Sequence, residues 1–204
     1  MLSSLLARLG FGRPFTPPLA PVLEQTTVRG VPVELVNSRT DISSATVLER
    51  LDEALALIGQ YQPWRLRHLQ QDVDSIRIER YACRGAFIPS ERTIITELTF
   101  LARRDITAAP VASSILHEGV HARVHAVRER LATFSGKRGL DRHAAREERL
   151  CRRAELAFGL ALPADLGAPV MERALASLEL DDTGVAPNVD WREAQRRIDA
   201  VDNR

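Results

Sequence analysis

From Ser43 to about Tyr61, Val47, Leu48, Leu51, Ala54, Leu55 and Ile58 recur at helical spacing, with Glu49, Arg50, Asp52 and Glu53 on the outer side. That pattern predicts an amphipathic helix, punctuated at its end by Gly59 and Pro63. Trp64–Leu69 adds a further helical turn. Before it, Thr27–Val36 alternates as a strand or hairpin, and Pro32 assigns it to a sheet edge. After it the period shortens. Val73, Ile76, Ile78 and Tyr81 sit among charged residues, Gly85–Ile88 follows, Pro89–Arg92 reads as a turn, and Thr93–Leu98 is rich in β-branched residues. These are three strands, antiparallel because their connections are short. Helical spacing returns at Ala108, with Pro110 in the first turn where a missing N–H costs nothing, and continues to about Ala132.

A loop with Gly136 and Gly139 separates that helix from a second long one, about Asp141 to Leu162, which stops at Pro163. Pro169–Leu178 and Asp190–Val201 read as two more helices, parted by Asp181–Gly184, with Trp191 anchoring the last to the body. The class is α+β: a small antiparallel or mixed sheet packed on the helix that begins at Ala108, with a mainly helical C-terminal half. Residues 1–25, with Pro14, Pro17, Pro18 and Pro21, form an N-terminal arm; 26–180 form the main domain; 181–204 form a C-terminal helix and tail.

Composition narrows the function classes. At 204 residues and 45% hydrophobic, the chain has ample core for one domain. A net charge of +1 offers no electrostatic case for nucleic acid or a membrane surface. Lys137 is the only lysine, and arginine with abundant alanine reads as the coding bias of a GC-rich, bacterial genome. Cys83 and Cys151 make no disulfide framework, no run is long enough to span a membrane, and the apolar start is interrupted by Arg8 without a cleavage site. A cytoplasmic location is expected; the alternative is a weak amphipathic membrane contact at the N-terminus.

The chemistry concentrates in His117-Glu118-Gly119-Val120-His121, an H-E-x-x-H pattern inside a helix. Residues four apart on a helix share a face, so both imidazoles can meet one zinc ion, and Glu118 can take a proton from water in the open position. Such a pattern also arises by chance on a solvated helix. Here, however, four of the five histidines fall between His117 and His143, and Ile115, Leu116, Val120, Val124 and Val127 supply an apolar back. A catalytic zinc needs a third protein ligand. His125 lies too far along a straight helix. The next helix offers Glu148, flanked by the small residues Ala144, Ala145 and Cys151, with Glu147, Glu155 and His143 as alternatives; all also fit a solvated, charge-paired face.

The order of helix, small sheet, H-E-x-x-H helix and glutamate-bearing helix resembles the core of the zincin metallopeptidases, of the gluzincin type, over about residues 73 to 163. The resemblance implies His117 and His121 as paired zinc ligands, Glu118 as general base, Glu148 as the downstream ligand, and a peptide or protein substrate. It also implies that the last strand before the active-site helix is the substrate-binding edge. Many gluzincins carry an aspartate four residues after the ligand glutamate, to orient the first histidine; Arg152 stands there, and Glu155 is the alternative carboxylate. Tyr81, His143, Arg123 and Arg153 are candidates for steadying the oxyanion. Rival readings are a binding or regulatory module with a structural or absent metal, and a non-peptide metallohydrolase.

Overall fold

In the computed structural model, which describes residues 22–135, 144–185 and 190–202, the first alternating stretch folds as a hairpin. Strands β1 (Val22–Val28) and β2 (Val31–Asn37) pair antiparallel, with Val31, Val33 and Leu35 buried. Pro32 does not place β2 at an edge. The ladder to its other neighbour begins only at Val33, so no partner faces the missing N–H. Helix α1 (Ser44–Tyr61) starts where the Ser43 side chain accepts a hydrogen bond from the Thr46 backbone, and it buries Val47, Leu51, Ala54, Leu55 and Ile58. Pro63 both ends that run and opens α2 (Pro63–Asp72), which is longer than the single turn expected.

Strands β3 (Ser75–Glu79), β4 (Gly85–Ile88) and β5 (Thr93–Glu97) complete a five-stranded mixed sheet of order β1-β2-β3-β5-β4. The expectation of three antiparallel strands holds for β4 with β5 but not for β3, which pairs parallel with both β2 and β5. The reason is burial. Every residue of β5 is buried, so β5 takes an interior position, while the half-buried β4 swings out to the edge.

A short helix α3 (Leu98–Ala102) leads to α4 (Ala108–Ser135), which carries the H-E-x-x-H pattern. Helix α4 touches β4, β5, α1 and α2 on one side, and on the other α5 (Ala144–Ala161) and α6 (Ala164–Leu178). Although every residue from Val111 to Val120 is buried, the helix is two-sided as expected: Ile115, Leu116 and Val120 pack in the core, while Ser114, His117, Glu118, His121 and His125 line a cavity; only Val127, 38% exposed, departs from the apolar back. Pro169 lies inside α6. The Asp181–Gly184 spacer largely forms a one-turn helix, α7 (Asp182–Val185), before α8 (Trp191–Asp202).

The class is α+β with a helical C-terminal half. Among the described residues no helix is long and apolar enough to cross a membrane. Residues 1–21 of the arm, the Gly136–Gly139 loop, His143 and the Trp191 side chain lie outside the described residues.

Candidate metal centre and active site

Helix α4 places His117 and His121 one turn apart, their ring centroids 5.0 Å from each other and their Nε2 atoms 3.3 Å apart. Helix α5 crosses this turn and presents three carboxylates to it. Glu148 lies in front: Oε2 is 3.2 Å from His117 Nε2 and Oε1 is 3.1 Å from His121 Nε2. Glu155 lies behind the first ring, with Oε1 2.5 Å from His117 Nδ1, and Glu147 behind the second, with Oε1 2.8 Å from His121 Nδ1. A carboxylate at Nδ1 holds the proton there and leaves Nε2 as the ligand atom.

Glu155 is itself fixed by Ser113 Oγ, which donates at 3.2 Å, and Arg152 Nη1, which donates at 2.6 Å. Glu147 is fixed by Arg128 at 2.5 Å. The carboxylate expected four residues after Glu148 is thus supplied seven residues after it. Glu147, read from sequence only as an alternative ligand, is a second orienting group.

In the sequence Cys151 stands out only as a small neighbour of Glu148. With His117 and His121 it forms a cluster whose ligand atoms all lie within 4.8 Å of one another, a set that could bind a metal ion. Glu148 and Cys151 are three apart and face α4 together, which is the periodic signal that would have exposed the cysteine. The two donors differ in approach. Glu148 oxygens stand 3.1 and 3.2 Å from the two Nε2 atoms. Cys151 is fully buried, and that burial pushes its thiol up, against the pull of His121.

Protonation follows the same geometry. Burial alone would lower both imidazoles, but Glu148 and Glu155 at His117, and Cys151, Glu147 and Glu148 at His121, outweigh it and raise them. Burial pushes Glu148 up, and the two histidines more than reverse that, holding it far below the usual carboxylate range. Glu118 moves the other way. Burial raises it, and His117 and His121 offset only part of the rise. It is 8% exposed, lines the cavity, and has no hydrogen bond or ion pair among the described residues. It is thus a buried carboxylate on the cavity wall, without a hydrogen-bonding partner among the described residues, that binds its proton more tightly than usual.

The cavity beside these groups has a volume of about 970 Å³. Edge strand β4 forms one wall and begins with Gly85. A Cβ there would stand 3.1 Å from Ser114 Oγ and 3.3 Å from Glu118 Cγ, so a side chain at this position would require those two neighbours to shift by a few tenths of an ångström. The strand last in sequence before α4 is β5, and it is interior; the edge that faces the site is β4. No family model, curated protein or solved structure matches the chain.

Of the oxyanion candidates, Tyr81 lines the cavity. Arg123 instead points to Asp72, 3.2 Å away, and Arg153 is exposed and off the cavity wall. His125 packs its ring on Phe87 and pairs with Glu129 at 3.3 Å. Sequence reading missed Arg84, Arg128 and Arg173 on the cavity wall, and saw Arg152 only as a departure from the expected aspartate. Arg173 carries a detectable signal: it follows the buried Val170 by three residues and precedes the buried Ala174, so it falls on the inward face of α6.

Proposed function

We propose that this chain is a zinc-dependent peptidase, with His117, His121 and Glu148 holding the metal and Glu118 as general base. One observation carries the reading: the two Nε2 atoms are 3.3 Å apart, and the Glu148 carboxylate spans them, Oε2 3.2 Å from His117 and Oε1 3.1 Å from His121. Ligands about 2.0–2.1 Å from a tetrahedral ion stand about 3.3 Å from one another, so the donor set fits zinc in number, chemistry and spacing. Such an ion supplies Lewis acidity, which polarises a carbonyl and acidifies water.

The chain's own groups do the rest. Glu155 and Glu147 hold the imidazoles in register. Glu118 accepts a proton from the attacking water and returns it to the leaving amine. Edge strand β4, whose outer backbone groups have no strand partner among the described residues, binds an extended peptide by strand addition. Glu118 weighs against a purely structural metal, because a closed site has no use for an unpartnered carboxylate on a cavity.

Purified protein is expected to hold close to one zinc per chain. Glu118→Gln is expected to keep both fold and zinc while losing hydrolysis by about 10²-fold or more. Protein that binds no zinc after reconstitution, or a Gln variant as active as the parent, refutes the assignment. The Cys151 cluster favours a second reading, in which the thiolate replaces Glu148 as third ligand. Zinc loss on Cys151→Ser that exceeds the loss on Glu148→Ala is the result that selects it.

A further inference from the structure

The four glutamates on the cavity wall are matched by four arginines: Arg84, Arg128, Arg152 and Arg173. Most of these charges are already committed. Glu147 holds His121 and Arg128; Glu155 holds His117, Ser113 and Arg152; Glu148 spans both Nε2 atoms. Arg84 stacks on the Phe100 ring, 5.1 Å from its centroid. Arg173 is the exception on the basic side. It is half-buried, it lines the cavity, and it makes no hydrogen bond or ion pair among the described residues. Arg152 is half-satisfied, since Nη1 donates to Glu155 while its buried Nε has no partner.

A half-buried guanidinium on a cavity wall whose five donors have no protein partner among the described residues is available to a ligand that accepts hydrogen bonds. Its surroundings indicate what that is. Burial weakens the hold of Arg173 on its proton; around it two carboxylates, Glu155 and Glu118, act against two guanidiniums, Arg84 and Arg152. None of these carboxylates is in hydrogen-bond or ion-pair contact with Arg173, so the guanidinium has neighbours of both signs and no bound counter-charge among the described residues. The glutamates and arginines of the wall balance one another, so a divalent ion at His117, His121 and Glu148 leaves the cavity with a positive surplus. A planar, singly charged group that accepts two parallel hydrogen bonds matches the guanidinium fork. A more highly charged anion would meet the field of the neighbouring glutamates.

We propose that Arg173, with Arg152 beside it, forms a subsite for a substrate carboxylate, so that the preferred substrates are peptides bearing a negative charge close to the cleaved bond. This rests on the peptidase reading above. The carboxylate has two sources in a peptide, an Asp or Glu side chain or the free C-terminus, and the same fork accepts either.

The test measures binding apart from cleavage. Zinc-loaded Glu118→Gln protein is titrated with fluorescent peptides in matched pairs: Glu against Gln, scanned through each position of one sequence, and free C-terminal carboxylate against amide. Expected is about tenfold or tighter binding of the charged member in at least one pair. Adding Arg173→Gln is expected to bring that peptide to the affinity of its neutral partner, and Arg173→Lys to restore only part of the ratio, because an ammonium lacks the fork. The pair that responds identifies the source: the scanned Glu for a side chain, the carboxylate against amide for the C-terminus.

Equal affinity within every pair, absence of peptide binding, or a preference that survives Arg173→Gln overturns the proposal. If the glutamine variant fails to fold, the ratios of the parent and the lysine variant still decide. Charge preference in binding without cleavage by the zinc-loaded parent sinks the peptidase reading and leaves the subsite. Cleavage of all peptides without charge preference does the reverse.

Discussion

Glu147 and Glu148 are adjacent on α5 yet meet the histidines from opposite ends: Glu148 at both Nε2 atoms, Glu147 at the Nδ1 of His121 alone. A helical projection places them about 100° apart and suggests that only one faces α4. The structure shows otherwise, because the His121 ring lies between them, with Nε2 toward Glu148 and Nδ1 toward Glu147. Glu148→Ala is expected to cause the larger loss of zinc affinity, and Glu147→Ala a loss of about 10–100-fold through misorientation of His121. Competition against a chromophoric chelator measures both, and zinc binding by Glu147→Ala equal to the parent would remove its orienting role. Spacing made His117, Glu118 and His121 legible, since one helical turn fixes their relation. Of the Nδ1 partners, Glu155 at His117 is named by the resemblance, whereas Glu147 at His121 is not legible in the sequence, because its place depends on how two helices cross.

Where those helices cross depends in turn on α5 and α6. A Cβ added to Gly167 would overlap the Gly159 carbonyl oxygen, a backbone atom with no room to retreat. Gly167→Ala is therefore expected to destabilise the fold by about 1–3 kcal/mol. For a chain of this size that is a fall in melting temperature of roughly 2–4 °C per kcal/mol, measured by calorimetry. A melting temperature unchanged from the parent would show that the helices can part without cost. Element identity was readable here, from the spacing of Val47 to Ile58 through the stop at Pro163. The position of β5 was not, for a different reason: adjacency in a sheet follows from how much surface a strand must bury, and its neighbours in sequence do not decide that.

For the whole molecule, the site makes metal-free stability depend on pH in a definite direction. His117 and His121 titrate higher in the fold than their ordinary 6.5, so their contribution is complete below pH 6.5 and is lost as pH rises through the folded values. Glu118 titrates higher than its ordinary 4.5, and its contribution likewise declines as pH rises. Glu147, Glu148 and Glu155 titrate lower than 4.5, so theirs is complete above 4.5 and is lost toward acid. The metal-free protein is expected to melt higher at pH 6 than at pH 8, with zinc removing the difference by taking the place of the protons. Thermal melts in chelator at both values check this; a higher melting temperature at pH 8 contradicts it.

One feature of the architecture reaches beyond the site. His117, Glu118 and His121 lie on helix α4, which packs on β4 and β5, while Glu147, Glu148, Cys151 and Glu155 lie on α5, which packs on α4 and α6. The candidate donors are therefore divided between two helices, α4 and α5, and they meet only while these stay packed together. A random-mutation screen scored by zinc loss will return surface-distant packing positions such as Gly159 and Gly167 alongside the ligands. A map drawn from such a screen would trace the seam between the helices more faithfully than it traced the ion.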